Sequence, residues 1–143
     1  MVRMTRPRPS PCAALLLAAL ALTGCNGGTV DQEALTADAE TIGSIATEGE
    51  LLAHDVSKGA STKYFARVQS DNLRREASNL EDALGERPAA SGLEPKVRAA
   101  SRLAGRVAEQ LNRLHHAPAD REVAASVEER LGNLAEKAEE LAS

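Results

Sequence analysis

Aromatic side chains are almost missing: there is one tyrosine, one phenylalanine and no tryptophan in 143 residues. A core built without them must rely on alanine, leucine, valine and isoleucine, and little aromatic lining is left for a ligand pocket. Sulfur is equally scarce. Cys12, Cys25, Met1 and Met4 are all of it, and all fall within the first 25 residues. The chain after Cys25 therefore offers no disulfide, no thiol nucleophile, no thiolate zinc site and no methionine ligand for haem. The sequence also lacks the motifs of catalysis. It contains no His-Glu-x-x-His, no Gly-x-Ser-x-Gly elbow, no glycine-rich phosphate loop and no Cys-x-x-Cys-His. A di-iron bundle needs Glu-x-x-His, but Glu50 and His54 are four apart, and neither His115 nor His116 has a carboxylate three before it. The expectation is a protein without catalytic residues, cofactor or metal. Finally, β-branched residues never alternate over a strand's length, which leaves helices.

What is present begins with a leader. Arg3, Arg6 and Arg8 form a basic start without an acid, and Ala13 to Leu22 is an apolar run of ten. As a helix the run spans about 15 Å, roughly half of a bilayer's hydrocarbon core, which is too short for a permanent span. Leu22-Thr23-Gly24-Cys25 follows directly. This stretch resembles the lipobox of bacterial lipoproteins, a resemblance confined to residues 1–25. It implies that residues 1–24 are removed as a signal peptide, that the Cys25 thiol carries a diacylglycerol, and that the freed amine is often acylated as well. Each buried methylene adds about 0.8 kcal/mol, so two or more chains hold firmly. The arginines are not adjacent, which favours general secretion over the twin-arginine route. The implied location is the extracytoplasmic face of the cell membrane, or an outer membrane where one exists, since Asn26 supplies no acidic retention signal. The plainer alternative is an ordinary cleaved signal in which Cys25 is incidental.

Beyond the leader, 14 basic residues face 21 acidic ones, a net charge of −7. That balance argues against a nucleic-acid partner. Residues 25–30 read as the lipidated cysteine and a flexible tether reaching at most about 20 Å. Residues 31–143 are the size of one domain, rich in alanine, leucine, glutamate and arginine, all strong helix formers.

The apolar spacing predicts four helices. The first is expected to start at Thr29, with Thr29 and Gln32 as a capping box, and to stop at Lys58-Gly59. Leu35, Ile42, Ile45, Ala46, Leu52 and Val56 mark its inner face. Gly43, Gly49 and a second capping pattern at Thr47 raise the expectation of a kink or break near residue 47. Seven acids precede its first base, Lys58; they read as a solvated face, or as a contact with a basic partner or the chain's own third helix. The second helix is expected from Ser61 or Thr62 to Leu84, with Gly85 as its stop and Phe65, Leu73, Ala77, Leu80 and Leu84 inward. The neighbouring Tyr64 and Phe65 read as packing, or else as a binding edge. The third helix opens with Ser91, Glu94 and Pro95, and Leu93, Val97, Ala100, Ala104, Val107, Leu111 and Leu114 form a heptad seam. Arg98, Arg102, Arg106 and Arg113 lie within about 80° on its other side. Their ordinary meaning is a solvated face; their functional meaning is a docking stripe for anionic headgroups, an anionic wall polymer or an acidic partner. The fourth helix follows Pro118 and carries Ala124, Val127, Leu131, Leu134, Ala138 and Leu141 inward. Its short connection to the third predicts an antiparallel hairpin. His115 and His116 project about 100° apart on a helix, which works against their sharing one metal ion.

The fold expected is therefore all-α, a small antiparallel up-down bundle of about four helices behind a cleaved signal peptide. The function expected is that of a membrane-anchored, non-enzymatic lipoprotein of the bacterial envelope. It would be held through the lipid on Cys25 and act on an unidentified envelope protein as an interaction or structural module. The alternative is a bundle that binds a small molecule, a lipid or a metal.

Overall fold

Each helix begins where a short polar side chain can cap it, or with proline in its first turn. The computed structural model describes residues 28–143; the leader, the lipobox and Cys25 lie outside the described residues. It contains α1 (Gln32–Lys58), α2 (Lys63–Glu86), α3 (Glu94–His116) and α4 (Arg121–Ala142). Asp31 Oδ1 accepts the Ala34 amide at 2.9 Å, so the cap of α1 is Asp31 and not the expected Thr29. Thr62 Oγ1 accepts from Phe65 N at 3.2 Å, and Asp120 Oδ1 accepts from Glu122 N and Val123 N, both at 3.0 Å. These bonds satisfy amides that a helix start leaves unpaired. α3 has no side-chain cap and carries Pro95 in its first turn. The expected Ser91–Glu94 box is replaced by Glu94 Oε2 accepting the Gly92 amide at 2.9 Å.

The expected break in α1 is absent: the helix runs unbroken through residue 47. α2 ends close to the expected stop, passing Gly85 to reach Glu86. Its end is set instead by Pro88, which disfavours helical backbone at the preceding residue; Arg87 is extended, with φ −82° and ψ 133°. Gly59 does close α1 as expected, in a left-handed conformation at φ 72°.

The four helices form an antiparallel up-down bundle, with α1 packed chiefly on α4 and α2 chiefly on α3. The predicted α3–α4 hairpin exists, but each of its helices has a closer partner elsewhere. Small residues explain this choice. Gly43 faces Ala138, Gly132 lies beneath the Glu50 carboxylate, and Gly105 lies beneath that of Glu81. Ser101 Oγ donates to the Glu81 carbonyl at 3.2 Å. Such seams let helix axes approach toward the short end of the usual range of about 8–10 Å. In the middle, Leu35, Ile42, Leu73, Leu111, Leu114 and Leu131 are fully buried, each contributing about 1.5–3 kcal/mol of hydrophobic stabilisation.

The inner face of α2 is the expected one at Leu73, Ala77 and Leu84, with Leu80 packed partly buried against the core, and departs from it at Phe65. Ala66, Ser70, Leu73, Ala77 and Leu84 are buried, while Phe65 is 54% exposed. Ser70 is tolerated inside because its hydroxyl donates to the Ala66 carbonyl at 2.6 Å, leaving little unmet polarity.

The chain enters the bundle through a specific joint. Val30, the last residue of the expected tether, is fully buried. Its amide donates to the Pro88 carbonyl at 2.8 Å, and its carbonyl accepts from Ala90 N at 2.9 Å. This parallel bridge fastens the entry of α1 to the α2–α3 loop. The entry end thus gathers the starts of α1 and α3 with the ends of α2 and α4. The opposite end carries the α1–α2 and α3–α4 turns.

Candidate functional site

At the end opposite Val30, the first turns of α2 expose apolar surface where an ordinary helix would place charge. Tyr64 is 80% exposed, Phe65 54% and Val68 41%. At one residue per 100° or so, these three share one face, turned away from the buried Ala66–Ser70–Leu73 face. Leu51 of α1 is 62% exposed at the same level of the bundle. That level is set by Gln69 Nε2, which donates to Glu48 Oε1 at 2.7 Å: Leu51 lies one turn beyond Glu48, and Phe65 one turn before Gln69. Lys63, Tyr64 and Arg67 line a shallow groove of about 270 Å³ beside the patch. His115 borders it from α3, its Nδ1–H donating to the Arg67 carbonyl at 3.1 Å.

The composition of this patch is that of a protein interface core, where tyrosine, phenylalanine and arginine are enriched over ordinary surface. It also holds both aromatic residues of the chain. Aromatic rings are the largest apolar groups a protein can bury, so a fold that leaves both outside has placed them against its own packing interest.

The histidines are each engaged separately. His115 and His116 meet edge to face with centroids 5.1 Å apart, and only His115 bonds to Arg67. His54 Nδ1 is 2.8 Å from Glu128 Oε1, and Ser57 Oγ donates to Glu128 Oε2 at 3.2 Å. The imidazole and the serine both address the carboxylate, and the serine's other bond goes to the His54 carbonyl at 2.8 Å and not to its ring, so this is no nucleophile–base pair. Among the described residues, no three His, Cys, Asp or Glu side chains gather as a metal ion would require.

Shifted carboxyls do not converge either. The His54 hydrogen bond above all holds Glu128 below its ordinary range, and the Arg74 hydrogen bond does the same for Asp71. Burial pushes Asp38 up despite Arg87 at 3.2 Å. The three lie on α4, α2 and α1, apart from one another. The first helix's acids therefore meet the α2–α3 loop through Asp38, and none of them forms an ion pair with α3. A surface groove of about 760 Å³ runs along α1 and the end of α4 over Gly43, Ser44, Thr47 and Leu51, with Glu40, Glu48 and Glu139 on its rim. It is open to solvent and has no converging donors. No helix among the described residues is long and apolar enough to cross a membrane.

Comparison with known proteins found no match to a family model, to a curated protein or to a solved structure. The site rests on its own chemistry.

The aromatic patch was half legible in the sequence, where Tyr64-Phe65 stands out as the only aromatic pair. Val68 falls on the same face by helical spacing, whereas the level of Leu51 could not be set without the register of α1 against α2.

Proposed function

We propose that this chain is a non-enzymatic lipoprotein of the bacterial envelope, whose bundle binds a protein partner through the Tyr64–Phe65 face. The observation that carries the interaction reading is the exposure of both aromatics and Val68 on one face of α2, with Leu51 of α1 exposed at the same level of the bundle. The anchor reading rests on the leader and on Leu22-Thr23-Gly24-Cys25, with the lipid on Cys25 and the bundle on the extracytoplasmic face. A tether of residues 25–30 reaches at most about 20 Å, which holds the Val30 end near the headgroups. The patch then stands roughly 35 Å further out along α1, facing the envelope space, where a protein partner can reach it.

The test places a photo-crosslinking residue at Tyr64 in cells and follows the chain through membrane fractionation. The expected result is a membrane-bound chain of mature mass beginning at Cys25 plus acyl chains, crosslinked to one discrete protein. A Cys25→Ala chain should leave the membrane fraction. A chain that stays unlipidated overturns the anchor, and crosslinks no different from those at Glu136, on α4, overturn the interaction surface.

A further inference from the structure

The third helix is the basic element of an acidic protein: Glu94–His116 contains five Lys and Arg against two Glu. Arg98, Arg102 and Arg106 follow one another at intervals of four, so like charges are stacked one turn apart, which opposes the helix. Among the described residues the ion pairs are His54–Glu128, Arg74–Asp71, Arg75–Asp71 and Arg87–Asp38. None involves α3. Across the seam on α4, Arg130 and Lys137 are also without an ion pair. Arg106, Arg130 and Lys137 line one cleft of about 350 Å³ between the two helices. Two carboxylates stand nearby: Glu109 on this cleft, and Glu140 on an adjoining one that shares Arg106 and Lys137. Neither pairs with the three cations.

The cleft has a buried polar group in its wall. Gln110 is 6% exposed, and its Oε1 accepts from Arg113 Nη1 at 2.8 Å. A guanidinium can only donate, so the atom facing Arg113 must be the oxygen and the remaining amide group is Nε2. No acceptor for Nε2 exists among the described residues. Among the described residues the one buried side-chain nitrogen or oxygen without a partner is Arg87 Nε, so Nε2 reaches solvent and is free to donate to a ligand. Arg113 therefore fixes the amide so that its free N–H groups belong to the cleft.

Three cations and an amide donor select for a ligand that only accepts and that carries negative charge. A tetrahedral oxyanion meets donors arriving from two helices better than a planar carboxylate does. Guanidinium forks suit phosphate oxygens in pairs. An apolar ligand would find Leu134 and little else. We propose that the α3–α4 cleft binds a phosphate group, held by Arg106, Arg130, Lys137 and Gln110 Nε2. The group belongs either to free phosphate or to the phosphodiester of a lipid headgroup. The inference does not depend on the lipid at Cys25 or on the aromatic patch.

The test is calorimetric titration of the full-length chain, purified in a neutral detergent, at constant ionic strength. The probes are inorganic phosphate, soluble glycerophosphoglycerol as the headgroup phosphodiester, and acetate. Binding of phosphate or of the diester, but not of acetate, is expected, and the tighter of the two names the source. Arg106→Gln with Arg130→Gln should weaken binding by about tenfold or more, the scale of a lost charge-assisted hydrogen bond. Arg98→Gln with Arg102→Gln removes the same charge outside the cleft and should change affinity by less than about threefold. Circular dichroism confirms that both variants remain helical. Absence of heat with both phosphates overturns the proposal, and so does equal weakening by the two double variants, which would leave only diffuse attraction.

Discussion

Gly49 of α1 and Leu111 of α3 meet across the centre of the bundle: a β-carbon on Gly49 would stand 2.7 Å from Leu111 Cδ2 and 3.0 Å from Leu131 Cδ1. Both leucines are fully buried, so neither has room to retreat. Gly49→Ala gains about 1 kcal/mol of helix propensity but forces overpacking of about 1–3 kcal/mol, and the expected result is net destabilisation. Gly43, on the same helix, meets only Ala138 Cβ, at 3.4 Å. Gly43→Ala should therefore stabilise, by about 0.5–1 kcal/mol. Urea unfolding of the two variants tests the opposite signs directly.

Acid should weaken the joint between α1 and α4. Glu128 is held below its ordinary value of 4.5, mainly by the His54 hydrogen bond and also by Ser57. With the folded value the lower of the two, the unfolded chain takes up the proton first as pH falls. The carboxylate thus stabilises the fold above the ordinary value and loses that contribution as pH drops through the folded one. Thermal melts from pH 7 down to pH 3 or so should show Glu128→Gln less stable than wild type at neutrality. The two curves should converge at the acid end; parallel curves would mean that the hydrogen bonds, not the charge, matter there.

Asp38 works in the opposite sense. Burial raises its carboxyl above the ordinary 3.8, although Arg87 opposes the shift. Ionised Asp38 is therefore a cost to the fold that Arg87 offsets and that protonation relieves. Arg87→Met should destabilise by about 1–3 kcal/mol at neutral pH, and by less once the medium falls below about pH 4. Chemical denaturation at the two pH values checks this, and an equal penalty at both would assign the role of Arg87 to packing.

The aromatic patch should be dispensable for folding. Tyr64→Ala and Phe65→Ala remove mostly exposed side chains and are expected to change stability by no more than about 0.5 kcal/mol. Leu73→Ala, on the buried face of the same helix, should cost about 2–5 kcal/mol. Partner crosslinking should behave inversely, falling with the two aromatic substitutions.

The third and fourth helices were readable in detail, because their apolar spacing is unambiguous. Val97, Ala100, Ala104, Val107, Leu111 and Leu114 are all buried, as are Ala124, Val127, Leu131, Leu134 and Ala138. The second helix misled at Phe65, since hydrophobicity favours the ring and the fold instead buries Ser70, whose hydroxyl is satisfied within its own helix. Glycines misled in the first. Gly43 and Gly49 suggest a break by propensity, and they serve as places of close approach to α4 and the centre. Which helices pair most closely was not legible, because a heptad marks an inward face without naming its neighbour. For the same reason the arginine stripe could be read from α3 alone, whereas the convergence of Arg106 with Arg130, Lys137 and Gln110 needs the α3–α4 register.

The joint at Val30 has a mechanical meaning. A pull on the chain ahead of Val30 does not peel α1 from its N-terminus one turn at a time. It loads the Val30–Pro88 and Ala90–Val30 hydrogen bonds together with a fully buried side chain, and so passes into the α2–α3 loop as well as into α1. Tension is then shared by three helices from the outset, and the bundle resists being unzipped from the end by which it would be held.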